Sequence, residues 1–208
     1  MYSDKTIKQY LDELAARQPA PGGGSCAALA GAMASALISM ALNFTIGNEA
    51  YKNFEQSAKE MLVKAEGLRN KFIKFFEDDI KGYEGVAKAY KLPKASDADK
   101  IKRKRAVREA LKQATLIPLH VCQDSVEAIK LCPELAKGAN KNLICDVGVP
   151  VRLLEAAFYS AKINVVANQK GIEDDEFNKD ILKQMAALEK ELLKYKESAE
   201  KEISKVIG

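Results

Sequence analysis

Three groups of residues have the types and spacing to do chemistry. Pro21-Gly22-Gly23-Gly24-Ser25 stands directly before a long apolar run. Glycines there let the backbone approach a ligand, and the free amides of a helix start favour an anion or a polarised carbonyl. The alternative is a flexible turn that merely lets a buried helix begin. Asp78-Asp79 lies among Phe72, Phe75, Phe76 and Tyr83. A carboxylate in such surroundings can serve as a base or pair with a cation, or it can lie on a solvated helix face. Asp146, Asn164 and Asn168 interrupt a largely apolar stretch that follows Asn140. Polar groups on a buried helix must find partners, either in a neighbouring loop or in a polar ligand.

Other chemistries find less footing. The glycine run has neither the Lys-Ser/Thr of a Walker A loop nor the G-x-G-x-x-G pattern. His120 is the single histidine, and Cys26, Cys122, Cys132 and Cys145 form no Cys-x-x-Cys pair, so no zinc site of usual spacing is expected. Nucleophilic triads would all have to use His120, which stands in an apolar run near Pro118 and reads as structural. A net charge of +4, from 33 basic and 29 acidic residues, is too mild to argue for nucleic acid. The basic run from Lys100 to Arg108, Arg105 included, reads as a solvated face and lacks the aromatic residues of a nucleic-acid platform.

The elements that must position these groups are helices. Ala, Leu and Lys abound, aromatic residues are 7% and no period-two pattern appears. Ser3 is expected to cap a first helix with Ile7, Leu11 and Leu14 on its inner face. No charge occurs from Gln18 to Asn48, and the Ala/Gly-rich stretch Cys26–Leu42 reads as a buried helix rather than a membrane span. Its small residues, Gly31 and Ala34 among them, would let another helix approach closely. Glu49 to Lys91 reads as one or two amphipathic helices ended by Leu92-Pro93-Lys94. Ser96 or Asp97 should cap the next, Pro118 should kink or break it, and a further helix spans about Asp146–Asn168. Ile181, Met185, Leu188, Leu192, Tyr195, Ala199, Ile203 and Val206 form a coiled-coil-like seam on a long C-terminal helix. With 47% hydrophobic and 30% charged residues, the 208-residue chain reads as one all-α domain over 1–208, a multi-helix bundle. The polar opening, Met1 to Gln18, and the unpaired cysteines point to the cytoplasm.

Together these residues resemble the cyclodeaminase/cyclohydrolase family of folate enzymes. The closest match is Pro19-Ala20-Pro21-Gly22-Gly23-Gly24-Ser25-Cys26-Ala27-Ala28. Asp79, then Tyr83, then Leu92-Pro93-Lys94 follow the family order, as do Arg105-Ala106 to Pro118-Leu119, and Gly138-Ala139-Asn140 to Asp146-Val147-Gly148-Val149 with Asn164 and Asn168 beyond. Cys145 replaces the usual Ser before the second Asp, and Pro150 stands where small residues are common.

The resemblance implies an all-helical subunit that pairs into a homodimer, expected to form partly through the small-residue helix with Gly31 and Ala34, and binds a tetrahydrofolate derivative in a cleft, with no metal or redox cofactor. It implies Asp79 as the leading acid/base group and Asp146 as the second. Gly22, Gly23, Gly24, Ser25, Asn140, Asn164, Asn168 and Arg105 are implied as substrate contacts. A cyclohydrolase that opens 5,10-methenyltetrahydrofolate to 10-formyltetrahydrofolate is favoured, because no formiminotransferase domain accompanies the chain. The alternatives are a formiminotetrahydrofolate cyclodeaminase, which expels ammonia, and a non-catalytic helical assembly protein.

Overall fold

The charge-free stretch becomes the central helix of the molecule. The computed structural model describes residues 1–207. Its elements are α1 (Ile7–Ala15), α2 (Gly23–Asn43), α3 (Glu55–Tyr90), α4 (Asp97–Ile129), α5 (Cys132–Gly138), α6 (Ile144–Gln169) and α7 (Asp175–Ile207), with no strand among the described residues. Helices α2, α3, α4 and α6 form an antiparallel bundle. Gly31 of α2 faces Phe72 of α3, and Gly82 of α3 faces Ile117 of α4. Cys122 of α4 reaches the Phe158 carbonyl of α6.

Twelve of the 21 residues of α2 are buried, which explains why a helix long and apolar enough to cross a membrane stays within this core. The small residues do admit a close neighbour, but it belongs to the same chain. A Cβ on Gly31 would lie 2.4 Å from the buried Phe72 ring, and Ala34 is fully enclosed. The expected homodimer contact through these two residues is therefore corrected: they are spent inside the bundle.

Three further expectations change. Thr6 caps α1 with a capping box to Gln9, not Ser3. The inner face of α1 carries Tyr10, whereas Ile7 and Leu11 are exposed. Pro118 does not end its helix: α4 runs unbroken from Asp97 to Ile129, held by burial on several sides. Ser96 caps α4 through a capping box with Asp99, as the sequence suggests.

Helix α7 lies along the groove between α4 and α6, with its seam residues Ile181, Met185, Leu192, Ala199 and Ile203 buried. Ion pairs flank it on both sides, Lys130–Glu191 from the residue just past α4 and Lys162–Glu189 and Lys196–Glu155 from α6. The α3–α4 hairpin extends past the bundle and is pinned by a small cluster of Ala89, Val107, Leu111 and Ile172.

Gly31→Ala places a methyl against an aromatic ring with no room to retreat. It should cost about 1–3 kcal/mol and lower Tm by roughly 3–10 °C, measured by thermal melting followed by circular dichroism. An unchanged Tm would show that α2 and α3 are less tightly docked than described.

Candidate active site

At the end of the bundle where α2 begins, four helices and the turn before α2 enclose a cleft of about 290 Å³. Asp79 is the only charged side chain on its wall among the described residues. Its carboxylate rests on Gly24 so closely that a Cβ there would lie 2.0 Å from Oδ1. The Ser25 backbone amide is directed at the same carboxylate. Helix α2 has Gly22 at its N-cap and no capping side chain of its own. The Asp79 carboxylate, delivered from α3, takes that role and meets the positive end of the helix dipole. Burial raises the Asp79 pKa above its ordinary value, and the Ser25 amide works against that rise.

The other polar groups on the wall come from the end of α6. Asn164 donates through Nδ2 to the Ser160 carbonyl at 2.9 Å, which leaves its Oδ1 available. Asn168 lines the same cleft and its side chain makes no hydrogen bond among the described residues. Gly23 is exposed, and a Cβ there would stand 3.9 Å from Asn164 Nδ2. Tyr83, one turn beyond Asp79, and Ala114 and Ile117 of α4 complete the enclosure. Pro118 has no amide hydrogen to give Ala114, so a backbone carbonyl at this wall lacks its helical donor.

Gly22, Gly23, Gly24, Asp79, Asn164 and Asn168 are thus brought together. Ser25 joins them through its amide, while its hydroxyl is used by the turn, donating to the Gly22 carbonyl at 2.7 Å. Asn140 and Asp146 are not brought there. Asn140 Oδ1 accepts from the Tyr51 hydroxyl and the Asn142 amide, and its own amide donates to Thr45, just beyond the C-terminal end of α2. That end lies about 30 Å from Gly23 along the helix. Asp146 sits in the first turn of α6, some 27 Å from Asn164 at 1.5 Å per residue. Arg105 is exposed on α4 and lines no cleft with Asp79.

Asp78 faces the opposite way, into a groove of about 910 Å³ on the far side of the α3–α4 pair. His120 lies in that groove, exposed and stacked on Phe75 at 5.7 Å, not packed in the core as a structural histidine would be. Cys122, two residues on, points away into the core, where its thiol donates to the Phe158 carbonyl at 3.4 Å and is pushed up to about 12 by burial. The sequence reading passed over Tyr10, Gly82, Ala114 and Ile117. Only Tyr10 left a signal: with Leu14 it forms an i,i+4 pair on a face one step away from the one chosen.

The family model of formiminotransferase-cyclodeaminase matches residues 6–187. A methenyltetrahydrofolate cyclohydrolase of Methylorubrum extorquens is 42% identical over 188 residues, covering 90% of each chain. The formimidoyltransferase-cyclodeaminase of Sus scrofa is 29% identical over 184 residues, which are 88% of this chain and 34% of that protein. The crystal structure of a formiminotetrahydrofolate cyclodeaminase from Thermotoga maritima superposes with a TM-score of 0.90 over both full chains, at 29% identity. Glycine turn, seated carboxylate and paired asparagines therefore lie within a fold and a sequence pattern of one kind, and the chain belongs to the formiminotransferase-cyclodeaminase family.

Proposed function

We propose that this protein is a methenyltetrahydrofolate cyclohydrolase, an enzyme of folate one-carbon metabolism that hydrolyses 5,10-methenyltetrahydrofolate to 10-formyltetrahydrofolate. The observation that carries the reading is the lone carboxylate of Asp79 in a cleft otherwise lined by neutral groups. The likeness to the Methylorubrum enzyme, at nearly full length on both sides, favours it over the cyclodeaminase.

The substrate carbon lies between two nitrogens and carries a delocalised positive charge, which one carboxylate at short range stabilises. Asp79 takes a proton from water as the oxygen adds to that carbon. It returns the proton to N5 as the carbon–N5 bond breaks, and the added hydroxyl loses its proton as the formyl carbonyl forms on N10. One proton is released overall. No electron is transferred and the substrate is already cationic, so the chemistry draws on this chain and water alone. In this reading Asn164 Oδ1, left open by its bond to Ser160, and the Asn168 amide hold the pterin edge. About 10 Å farther along the α3–α4 hairpin, Lys94, Lys100, Arg103, Lys104 and Arg108 line a pocket of about 470 Å³ in which Glu173 pairs with Lys104, and the remaining basic groups suit the folate carboxylates.

The reading includes a homodimer in the cytoplasm. Helices α2 and α6 pack side by side and leave Met33, Val149, Ile163 and Val166 exposed on their outer sides, and α2 carries no charge to discourage association. The four thiols are unpaired, as a reducing compartment keeps them.

Asp79→Asn keeps the shape but removes the base, so turnover should fall about a hundredfold or more while folate still binds. Asp78→Asn, facing the other groove, should stay close to wild type. Both are read from the near-ultraviolet absorbance of methenyltetrahydrofolate, with ammonia release from the formimino substrate measured in parallel. A higher kcat/KM for the formimino substrate would replace the cyclohydrolase by the cyclodeaminase. Gly24→Ala pushes the Asp79 carboxylate off its seat at the start of α2, so it should lose roughly tenfold or more in kcat and, with that contact gone, lower Tm by about 2–4 °C. Light scattering at micromolar concentration should give a dimer mass, and Ile163→Glu should shift it towards the monomer; a monomeric wild type would refute the pairing.

A further inference from the structure

Helix α1 buries a single residue, Tyr10, and the polar tip of that residue points at the glycine turn. Its hydroxyl lies 3.0 Å from Ser25 Oγ and 3.3 Å from Cys26 Sγ. The direction of these bonds follows by elimination. The Gly22 carbonyl can only accept, so the one hydroxyl hydrogen of Ser25 is committed to it at 2.7 Å. Ser25 Oγ must then accept from Tyr10, and the Tyr10 oxygen accepts from the Cys26 thiol. A one-way chain runs from Cys26 through Tyr10 and Ser25 to Gly22, and it ties both ends of the turn that carries Gly24.

The Tyr10 ring is fixed from the other side. It packs on Phe76 of α3 with centroids 5.1 Å apart, one helical turn before Asp79. A phenylalanine would fill the same space, but it would leave Ser25 Oγ without a donor. The hydroxyl is therefore not explained by packing.

We propose that Tyr10 is a positioning residue: through Ser25 it holds the Gly22–Ser25 turn in the one geometry that keeps the Ser25 amide on the Asp79 carboxylate. The inference rests on the reading of Asp79 as the base of the hydrolysis. The groups facing Asp79 are Tyr10 from α1, the Ser25 amide from α2, Tyr83 on its own helix, and Asn164 and Asn168 from α6, while α4 presents only Ala114 and Ile117. With no second charged side chain on the wall, the acid limb of the rate profile reports Asp79.

The test compares wild type with Tyr10→Phe, Ser25→Ala and the double variant. Three quantities are read: the titration midpoint of the Asp79 carboxyl by carbon-13 NMR without substrate, the pH profile of kcat and KM, and Tm. A loosened amide favours the carboxylate less, so the midpoint and the acid limb should both move up, by roughly half a pH unit. At a fixed pH on the acid limb, at or below the wild-type midpoint, kcat should fall about twofold to threefold with KM within about twofold. The double variant should be no worse than either single one, because both break the same chain. An unmoved midpoint and acid limb in the folded variants, even with a lower Tm, would overturn the proposal and leave Tyr10 a packing residue. If Tyr10→Phe does not fold, Ser25→Ala carries the same midpoint measurement. If the wild type does not hydrolyse methenyltetrahydrofolate but the midpoint still moves, the positioning stands and the proposed reaction falls.

Discussion

The seat of the Asp79 carboxylate on Gly24 is the contact on which the remaining structure depends. It requires side chains of α3 to reach the backbone of α2, and the missing side chains of Gly24 and Gly31 let the Asp79 carboxylate and the Phe72 ring do so two turns apart. It also explains why α2 needs no capping side chain. A helix beginning Gly22-Gly23-Gly24 has little intrinsic reason to start there, since glycine loses more backbone entropy than other residues in a helix. The carboxylate from another helix supplies the missing acceptor and the complementary charge.

The same contact sets the electrostatic character of the cleft. Burial alone would drive Asp79 towards its neutral form, since a carboxylate removed from water loses its hydration. The Ser25 amide and the end of α2 restore part of that stabilisation without adding a cation, so the carboxylate is left free to meet a positively charged substrate. An Arg or Lys partner would have quenched it. Neutral amides from Asn164 and Asn168 keep the rest of the wall polar while leaving the charge of Asp79 unopposed.

Rigidity comes from farther away. Helix α7 clamps α4 to α6 by a buried seam and flanking ion pairs, and the Ala89–Ile172 cluster holds the hairpin beyond the cleft. These features let α3 and α4 carry two different surfaces back to back. Asp79 faces the enclosed cleft and Asp78 the wide groove, with Gly82, Ala114 and Ile117 as their shared wall. Neighbouring residues on a helix point about 100° apart, which is enough to put two adjacent carboxylates in unrelated surroundings.

What the sequence determined by itself was the helical class, the helix breaks at the glycine turn, at Leu92-Pro93 and near Gly138-Ala139, and, through the resemblance, the residues that share one cleft: the glycine turn, Asp79, Asn164 and Asn168. Apolar period, proline and capping residues are local signals that hold where nothing outvotes them; burial on several sides overrode the one at Pro118. Which helix meets which was decided only in three dimensions. Gly31 and Ala34 announce a close neighbour but not whose, and the neighbours proved to be helices of the same chain. Asp146 and Asn164 share one helix in the sequence, yet the 1.5 Å rise of that helix carries them to opposite ends of the bundle. Tyr10 shows the converse. No motif marks it, because its role comes from a hydroxyl that reaches Ser25 and Cys26 only after α1 has folded back against the start of α2.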